Sequence, residues 1–242
     1  MIKYDKEDIN RKDWKIISLY TISKCNLSCA ECIMAEAMKK YNNYQMTLQE
    51  IENLIYFSEL SNYKFDIILS GGEPTLWDNL LNGVKLLKKS NITKSITIFS
   101  NVINLKNIND ELVNYIDSIR ISEYDYNKKN INIVLEKYPS KIKVVNREYF
   151  WENPKHPIFE SLPAECLNRE YMFYNNRVYA CPHSISLSIK AKSNIKISTE
   201  LKINFINDLP LIKKGQEREI CTFCISNQKV RDKMNLIKNL NN

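Results

Sequence analysis

The sequence predicts an α/β fold built on a parallel sheet, and three observations point there. Five strand-like runs alternate with helical runs through the first two thirds of the 242 residues. Strand–helix alternation at this spacing implies parallel strands joined by right-handed crossovers, which gather the strand C-termini at one face. A chain of this length with 44% hydrophobic residues can bury a full core, as one large domain or a core plus a small module. The third observation is the division of the seven cysteines, three near the start and four near the end.

Taken in order, Trp14–Ile22 (WKIISLYTI) reads as the first strand and Glu31–Lys40 as a short helix. Thr47 is placed to cap a helix over Leu48–Leu60, with Glu50 completing a capping box. Phe65–Ser70 (FDIILS) is a buried strand that ends at two glycines. Asn79–Lys89 carries Leu80, Val84 and Leu87 at helical spacing. Lys94–Asn101 and Ser118–Ser122 are the third and fourth strands, with a helix over Asp110–Ile116 between them. Lys128–Lys137 is helical and stopped by Pro139, and Lys141–Asn146 is the fifth strand. Parallel α/β barrels put their chemistry at the strand C-termini. Five stretches fall there: the loop after the first strand, Gly71–Pro74, Ser100-Asn101, Ser122-Glu123 and Asn146-Arg147.

No apolar run approaches membrane-spanning length, and the N-terminus MIKYDKEDINRKD is too charged for a signal peptide, so a cytoplasmic protein is expected. Seven cysteines without an export signal favour metal binding over disulfides. A net charge of +7 suits an anionic substrate. Its lysines, however, are scattered singly or in pairs without interleaved aromatics, which argues against nucleic acid.

Thr21–Cys32 (TISKCNLSCAEC) carries Cys25-x3-Cys29-x2-Cys32 on the loop leaving the first strand. Three thiolates on one short loop can hold three corners of an iron–sulfur cube and leave the fourth iron open, whereas a structural zinc site is usually closed by four ligands. Gly71-Gly72-Glu73-Pro74 ends the next strand, and two of the four glycines in the protein stand there together, where the backbone needs positive φ or a close approach. The triplet followed by GGEP resembles the radical S-adenosylmethionine (SAM) enzymes. The resemblance implies a partial, open (β/α) barrel, usually of six units, so a sixth, irregular strand is expected near Tyr149–Phe159. It also implies a [4Fe-4S] cluster on Cys25, Cys29 and Cys32 whose open iron is chelated by SAM. Gly71, Gly72, Glu73 and Pro74 would hold the SAM amino group, and Ser100, Asn101 and Ser122 would contact SAM from the neighbouring strand ends. The sequence departs from the family pattern at Val102, where relatives carry glycine, and at Glu31, where they carry an aromatic residue.

Cys166, Cys181, Cys221 and Cys224 follow as C-x14-C-x39-C-x2-C. Tyr171–Ala180 (YMFYNNRVYA) reads as a β-hairpin around Asn175-Asn176 that returns to Cys181-Pro182. This arrangement is similar to the twitch (SPASM-like) module, which implies an auxiliary [4Fe-4S] cluster on these four cysteines; a Zn(Cys)4 site is the alternative. His183 is either a replacement ligand or a neighbour of the site. The implied architecture is a core over residues 1–160 and an iron–sulfur hairpin/helix module over 161–242.

The match in length and cysteine pattern is with the short aminocyclitol/sugar dehydrogenase type. It implies hydrogen abstraction from a small polar, anionic or neutral substrate, oxidation of a secondary alcohol, and an electron supply from a flavodoxin- or ferredoxin-like reductant. Arg147, with Glu148 and Tyr149 beside it, is placed to bind or deprotonate the substrate hydroxyl. Peptide maturation or epimerisation is a second enzymatic reading, disfavoured by the short segment before the first strand. A non-catalytic iron–sulfur or zinc protein is the reading of a different class.

Overall fold

The structure, a computed structural model, describes residues 16–29, 32–146, 170–191, 198–203 and 205–208. Five strands alternate with helices as expected: β1 (Ile16–Ile22), α1 (Ala35–Lys40), α2 (Leu48–Leu60), β2 (Phe65–Gly71), α3 (Leu80–Lys89), β3 (Thr93–Ser100), α4 (Asp110–Tyr115), β4 (Ser118–Glu123), α5 (Lys128–Lys137) and β5 (Ile142–Asn146). Beyond them come β6 (Glu170–Tyr174), β7 (Arg177–Tyr179), α6 (Ser184–Ala191) and β8 (Ser198–Glu200). All eight strands form one sheet in the order β5-β4-β3-β2-β1-β6-β7-β8. The first six of that order are mutually parallel, and β7 and β8 add antiparallel pairs at the end. This is the mostly parallel α/β fold that the alternation predicts, in the open-barrel form that the resemblance implies.

Two features differ from expectation. The sixth parallel strand is β6, hydrogen-bonded to β1, so the first strand of the expected hairpin is also a strand of the main sheet. Four of its five residues are buried: Tyr171 and Phe173 join the core on one face, Met172 and Tyr174 a second cluster on the other. A strand covered on both faces reads as an unbroken apolar run, which is what parallel pairing requires. The stretch Tyr149–Phe159 lies outside the described residues. In addition, α1 begins at Ala35 rather than Glu31, because Cys29 and Cys32 form turns of their own, with Cys32 N–H on the Cys29 carbonyl (3.2 Å) and Ala35 N–H on that of Cys32 (3.1 Å).

The hairpin itself forms as read. Asn175 and Asn176 take φ of 48° and 54° between β6 and β7, the paired left-handed conformation of a type I′ turn, which asparagine tolerates. The capping box also forms: Thr47 Oγ1 accepts from Glu50 N–H (3.2 Å), while Glu50 Oε2 accepts from Thr47 N–H (2.9 Å).

The two faces of the sheet differ. On one, Ile17, Leu19, Ile67, Leu69, Ile96, Ile98, Ile119 and Ile121 pack against the apolar stripes of α2 to α5. On the other, α1 and α6 cover Tyr20, Met172 and Tyr174. Farther along that second face the strands carry polar cross-strand pairs, with Ser95 donating to Asp66 (2.7 Å), Thr97 beside Ser118 (3.0 Å) and the Arg120 guanidinium 5.1 Å from the Phe99 ring centre. A buried outer layer therefore holds a partly polar inner face, with the strand C-termini as its rim. No helix among the described residues is long and apolar enough to cross a membrane.

Candidate cluster and cofactor site

The rim is assembled around the loop that leaves β1. Ser23 N–H and Oγ both donate to the Tyr44 carbonyl (3.0 and 3.1 Å), and Met46 N–H donates to that of Thr21 (2.8 Å). On the β2 side, Gly72 N–H donates to the Ile22 carbonyl (2.6 Å) and Glu73 N–H to that of Lys24 (2.9 Å). The glycine pair makes this docking possible. Gly71 has φ of +129°, and a Cβ there would stand 2.5 Å from the Ile22 oxygen; a Cβ on Gly72 would stand 2.2 Å from the Lys24 oxygen. Both needs that a glycine pair answers are present, and the closely approached body is the backbone of the cysteine loop.

Cys25, Cys29 and Cys32 are free thiols of intermediate exposure. Burial pushes the Cys25 thiol up, and so do the Glu73 carboxylate and the two neighbouring thiols. Burial likewise raises Cys32, with Cys29 adding to it. No cationic side chain among the described residues offsets this, so a metal bound here would have to displace the thiol protons. Among the described residues no three His, Cys, Asp or Glu side chains converge so as to hold a single metal ion. Tyr124 Oη lies 4.0 Å from Cys29 Sγ, its ring is stacked on Tyr126 (centroids 5.1 Å), and the Tyr126 phenol is pushed up to about 12 by burial and then by Cys29.

Glu73 is the hub that joins two strand ends. Its side chain is buried, and Oε1 accepts from Thr75 N–H (3.1 Å), Thr75 Oγ1 (2.8 Å) and Ser100 Oγ (2.8 Å), while Oε2 accepts from Asn101 N–H (2.9 Å). Four donors satisfy a carboxylate that would be costly to bury unsolvated. Pro74 opens a 3-10 turn over Pro74–Leu76. Ser100 also accepts from Val102 N–H (2.9 Å), and Val102 takes φ of +48° although it is β-branched and buried. Position 102, where the resemblance implies glycine, thus has left-handed backbone in this chain.

Sequence reasoning named Asn101 but missed Asn26, Asn127 and Asn130, which brace this rim with it. Asn101 Nδ2 donates to Asn26 Oδ1 (2.8 Å), tying β3 to the cysteine loop. Asn127, fully buried, donates from Nδ2 to the carbonyls of Asn101 and Ser122 (2.8 Å each) and accepts from Tyr124 N–H (2.8 Å). Asn130 Nδ2 donates to the Val102 carbonyl (2.9 Å). The structure therefore brings together Cys25, Cys29, Cys32, Gly71, Gly72, Glu73, Pro74, Ser100, Asn101 and Ser122 at one end of the sheet.

Of the C-terminal set, Cys181 is buried just after β7, with its N–H on Ser184 Oγ (3.4 Å). His183 beside it is buried, and its imidazole is pushed down to about 4 by that burial. Cys166, Cys221, Cys224 and Arg147 lie outside the described residues, as does Glu31.

Residues 15–138 match the family model described as a 4Fe-4S single cluster domain, and the chain belongs to that family. The matched segment contains the cysteine triplet, GGEP and the β3 and β4 strand ends. Among solved structures, the chain is similar to BtrN in complex with AdoMet and 2-DOIA, with a TM-score of 0.62 and 13% identity over 84% of this chain and 87% of that one. It is also similar to BtrN in an open conformation, with a TM-score of 0.57 and 15% identity over 88% and 93% of the two chains. Streptococcus suis SuiB bound to the precursor peptide SuiA aligns more loosely, with a TM-score of 0.40 and 11% identity over 88% and 71%. The BtrN matches show a shared fold. No curated protein matches the sequence.

Proposed function

We propose that the chain is a radical SAM enzyme that cleaves S-adenosylmethionine reductively to a 5′-deoxyadenosyl radical and takes a hydrogen atom from a small polar substrate. The proposed net reaction is oxidation of a secondary alcohol of a sugar, nucleotide sugar or aminocyclitol. The observation that carries the reading is the docking of the Cys25–Cys29–Cys32 loop on the Gly71–Pro74 turn at the rim of a parallel sheet. Membership of a 4Fe-4S family supports it, and so does the fold shared with BtrN, which was solved with AdoMet.

In this reading Cys25, Cys29 and Cys32 hold a [4Fe-4S] cluster with one iron left for SAM, and the two together, when bound, supply the radical. The work of the chain is positioning. The Glu73 hub ties the Gly71–Pro74 turn to the end of β3, and that turn would hold the amino group of SAM. Asn101 and Ser122 offer polar groups to the rest of SAM from the next two strand ends. For each alcohol oxidised, the carbinol hydrogen atom goes to the 5′ carbon, the hydroxyl proton to a base, and one electron to an acceptor. Arg147 is the proposed hydroxyl partner, and an auxiliary [4Fe-4S] cluster on Cys166, Cys181, Cys221 and Cys224, in a module over 161–242, is the proposed acceptor. A flavodoxin- or ferredoxin-like protein in the cytoplasm is the proposed electron source.

The test is isotopic. Reduced, iron-reconstituted protein is given SAM and a panel of secondary alcohols deuterated at the carbinol carbon. Deuterium in 5′-deoxyadenosine, with an equal amount of ketone, is expected for one of them. Cleavage of SAM without deuterium transfer from any sugar or aminocyclitol alcohol would contradict this choice of reaction.

A further inference from the structure

We infer that Tyr20 is a hydrogen-bond donor to the cluster that the cysteine loop holds, and that it sets how readily that cluster is reduced. The inference rests on reading Cys25, Cys29 and Cys32 as cluster ligands.

Tyr20 stands on β1, five residues before Cys25, and is fully buried. Its hydroxyl has no hydrogen-bond partner among the described residues. A buried hydroxyl left unpaired is costly, and protein interiors rarely tolerate one without a reason. The ring cannot easily turn away. It is stacked with Tyr44 (centroids 5.8 Å) and meets Tyr174 edge-on (5.4 Å), and the Tyr44 hydroxyl is itself fixed on Glu50 (2.8 Å).

The surroundings say what kind of partner is missing. Tyr20 packs with Met34, Ala37, Met172, Tyr174 and Ile185, and Cys32, Tyr41, Tyr44 and Tyr179 pack against the same cluster without accepting from its hydroxyl. A phenol carries its proton at neutral pH, so the buried hydroxyl is available as a donor. An electron-rich sulfur, from the Cys32 thiolate or from a cluster sulfide, is the acceptor that arrives only when the loop is loaded. Hydrogen bonds to cluster sulfurs stabilise the reduced, more negative state and raise the potential. Tyr20 would thus ease the entry of the electron that SAM cleavage requires.

The experiment compares wild type, Tyr20→Phe and Tyr44→Phe. Each protein is reconstituted anaerobically, and the cluster's midpoint potential is measured without SAM by EPR-monitored titration. SAM is added afterwards to identify the signal by its response. The expected result for Tyr20→Phe is iron content equal to wild type, a midpoint potential shifted to more negative values, and a melting temperature of the cluster-free protein no lower than wild type. Tyr44→Phe is expected to keep the wild-type potential. A Tyr20→Phe potential equal to wild type would overturn the inference, and so would an equal shift in Tyr44→Phe, which would trace the effect to ring packing. A wild-type protein that takes up no SAM-responsive cluster would overturn the reading of the cysteine loop itself.

Discussion

Glu73 shows what a single residue does at this rim. Its carboxylate gathers donors from Thr75, Ser100 and Asn101, and so fixes the end of β2 to the end of β3. Glutamine keeps one acceptor oxygen and turns an amide against donors, so Glu73→Gln should lower the unfolding free energy by about 2 kcal/mol. Urea denaturation of the cluster-free protein measures it, and an unchanged midpoint would show that the hub is dispensable. Val102 gives a sharper residue-scale contrast. A left-handed, β-branched residue costs about 1–2 kcal/mol, which glycine relieves and alanine does not. Val102→Gly should therefore be more stable than Val102→Ala, by about 1 kcal/mol, although it has the smaller side chain. The reverse order would mean that the backbone there is not left-handed. The sequence marks position 102 as a departure from glycine, and the structure supplies the reason. Asn26, Asn127 and Asn130 were not legible in the same way. In an Asn-rich chain their identity carries little signal, and their role exists only once three strand ends stand side by side.

At the scale of elements, local chemistry carried the reading where one short stretch holds all the information. The α2 cap needs only Thr47 and Glu50, and the β6–β7 turn only Asn175-Asn176. Thr47→Ala should lower the unfolding free energy by about 1 kcal/mol, read from denaturant unfolding, while leaving reconstituted iron at the wild-type level, since Glu50 of α2 reaches the rim through the Tyr44 hydroxyl rather than through the cysteine loop itself. The strand β6 was harder to place. The first run of Tyr171–Ala180 reads as a strand, and β6 forms there, but whether it pairs with β5, β1 or β7 depends on long-range pairing that periodicity cannot report. The contact of the Gly71–Pro74 turn with the cysteine loop belongs to this scale as well. Gly72→Ala would drive a methyl group to 2.2 Å from the Lys24 oxygen, so the loop must shift. Reconstituted Gly72→Ala should hold less than half the wild-type iron at the N-terminal site, and wild-type iron would show that the docking does not organise the cysteines.

For the whole molecule, the parallel sheet does the positioning that chemistry at this rim requires. Strand C-termini from β1 to β4 bring three thiols, a glycine turn and a set of amide and hydroxyl groups to one place, while the apolar layer under α2 to α5 holds the strands in register. The class of fold was legible because strands and helices alternate so regularly, and the N-terminal site because its residues lie at strand ends. What the C-terminal cysteines hold was not, since four thiolates suit a cubane or a zinc ion alike; Cys181 follows β7, while Cys166, Cys221 and Cys224 lie outside the described residues. Their occupant separates two chemistries. About eight irons per chain in the wild type, falling to about four in a Cys25/Cys29/Cys32→Ala variant, would match two cubanes. About four irons and one zinc would remove the proposed electron acceptor and favour redox-neutral chemistry.

The most direct test of radical SAM chemistry is 5′-deoxyadenosine formation from SAM by the anaerobically reconstituted, chemically reduced protein, set beside Cys25→Ala, Cys29→Ala and Cys32→Ala. The wild type should accumulate 5′-deoxyadenosine, and each variant should fall to background. No 5′-deoxyadenosine from a wild-type protein that carries its cluster, or undiminished cleavage in all three variants, would contradict the assignment.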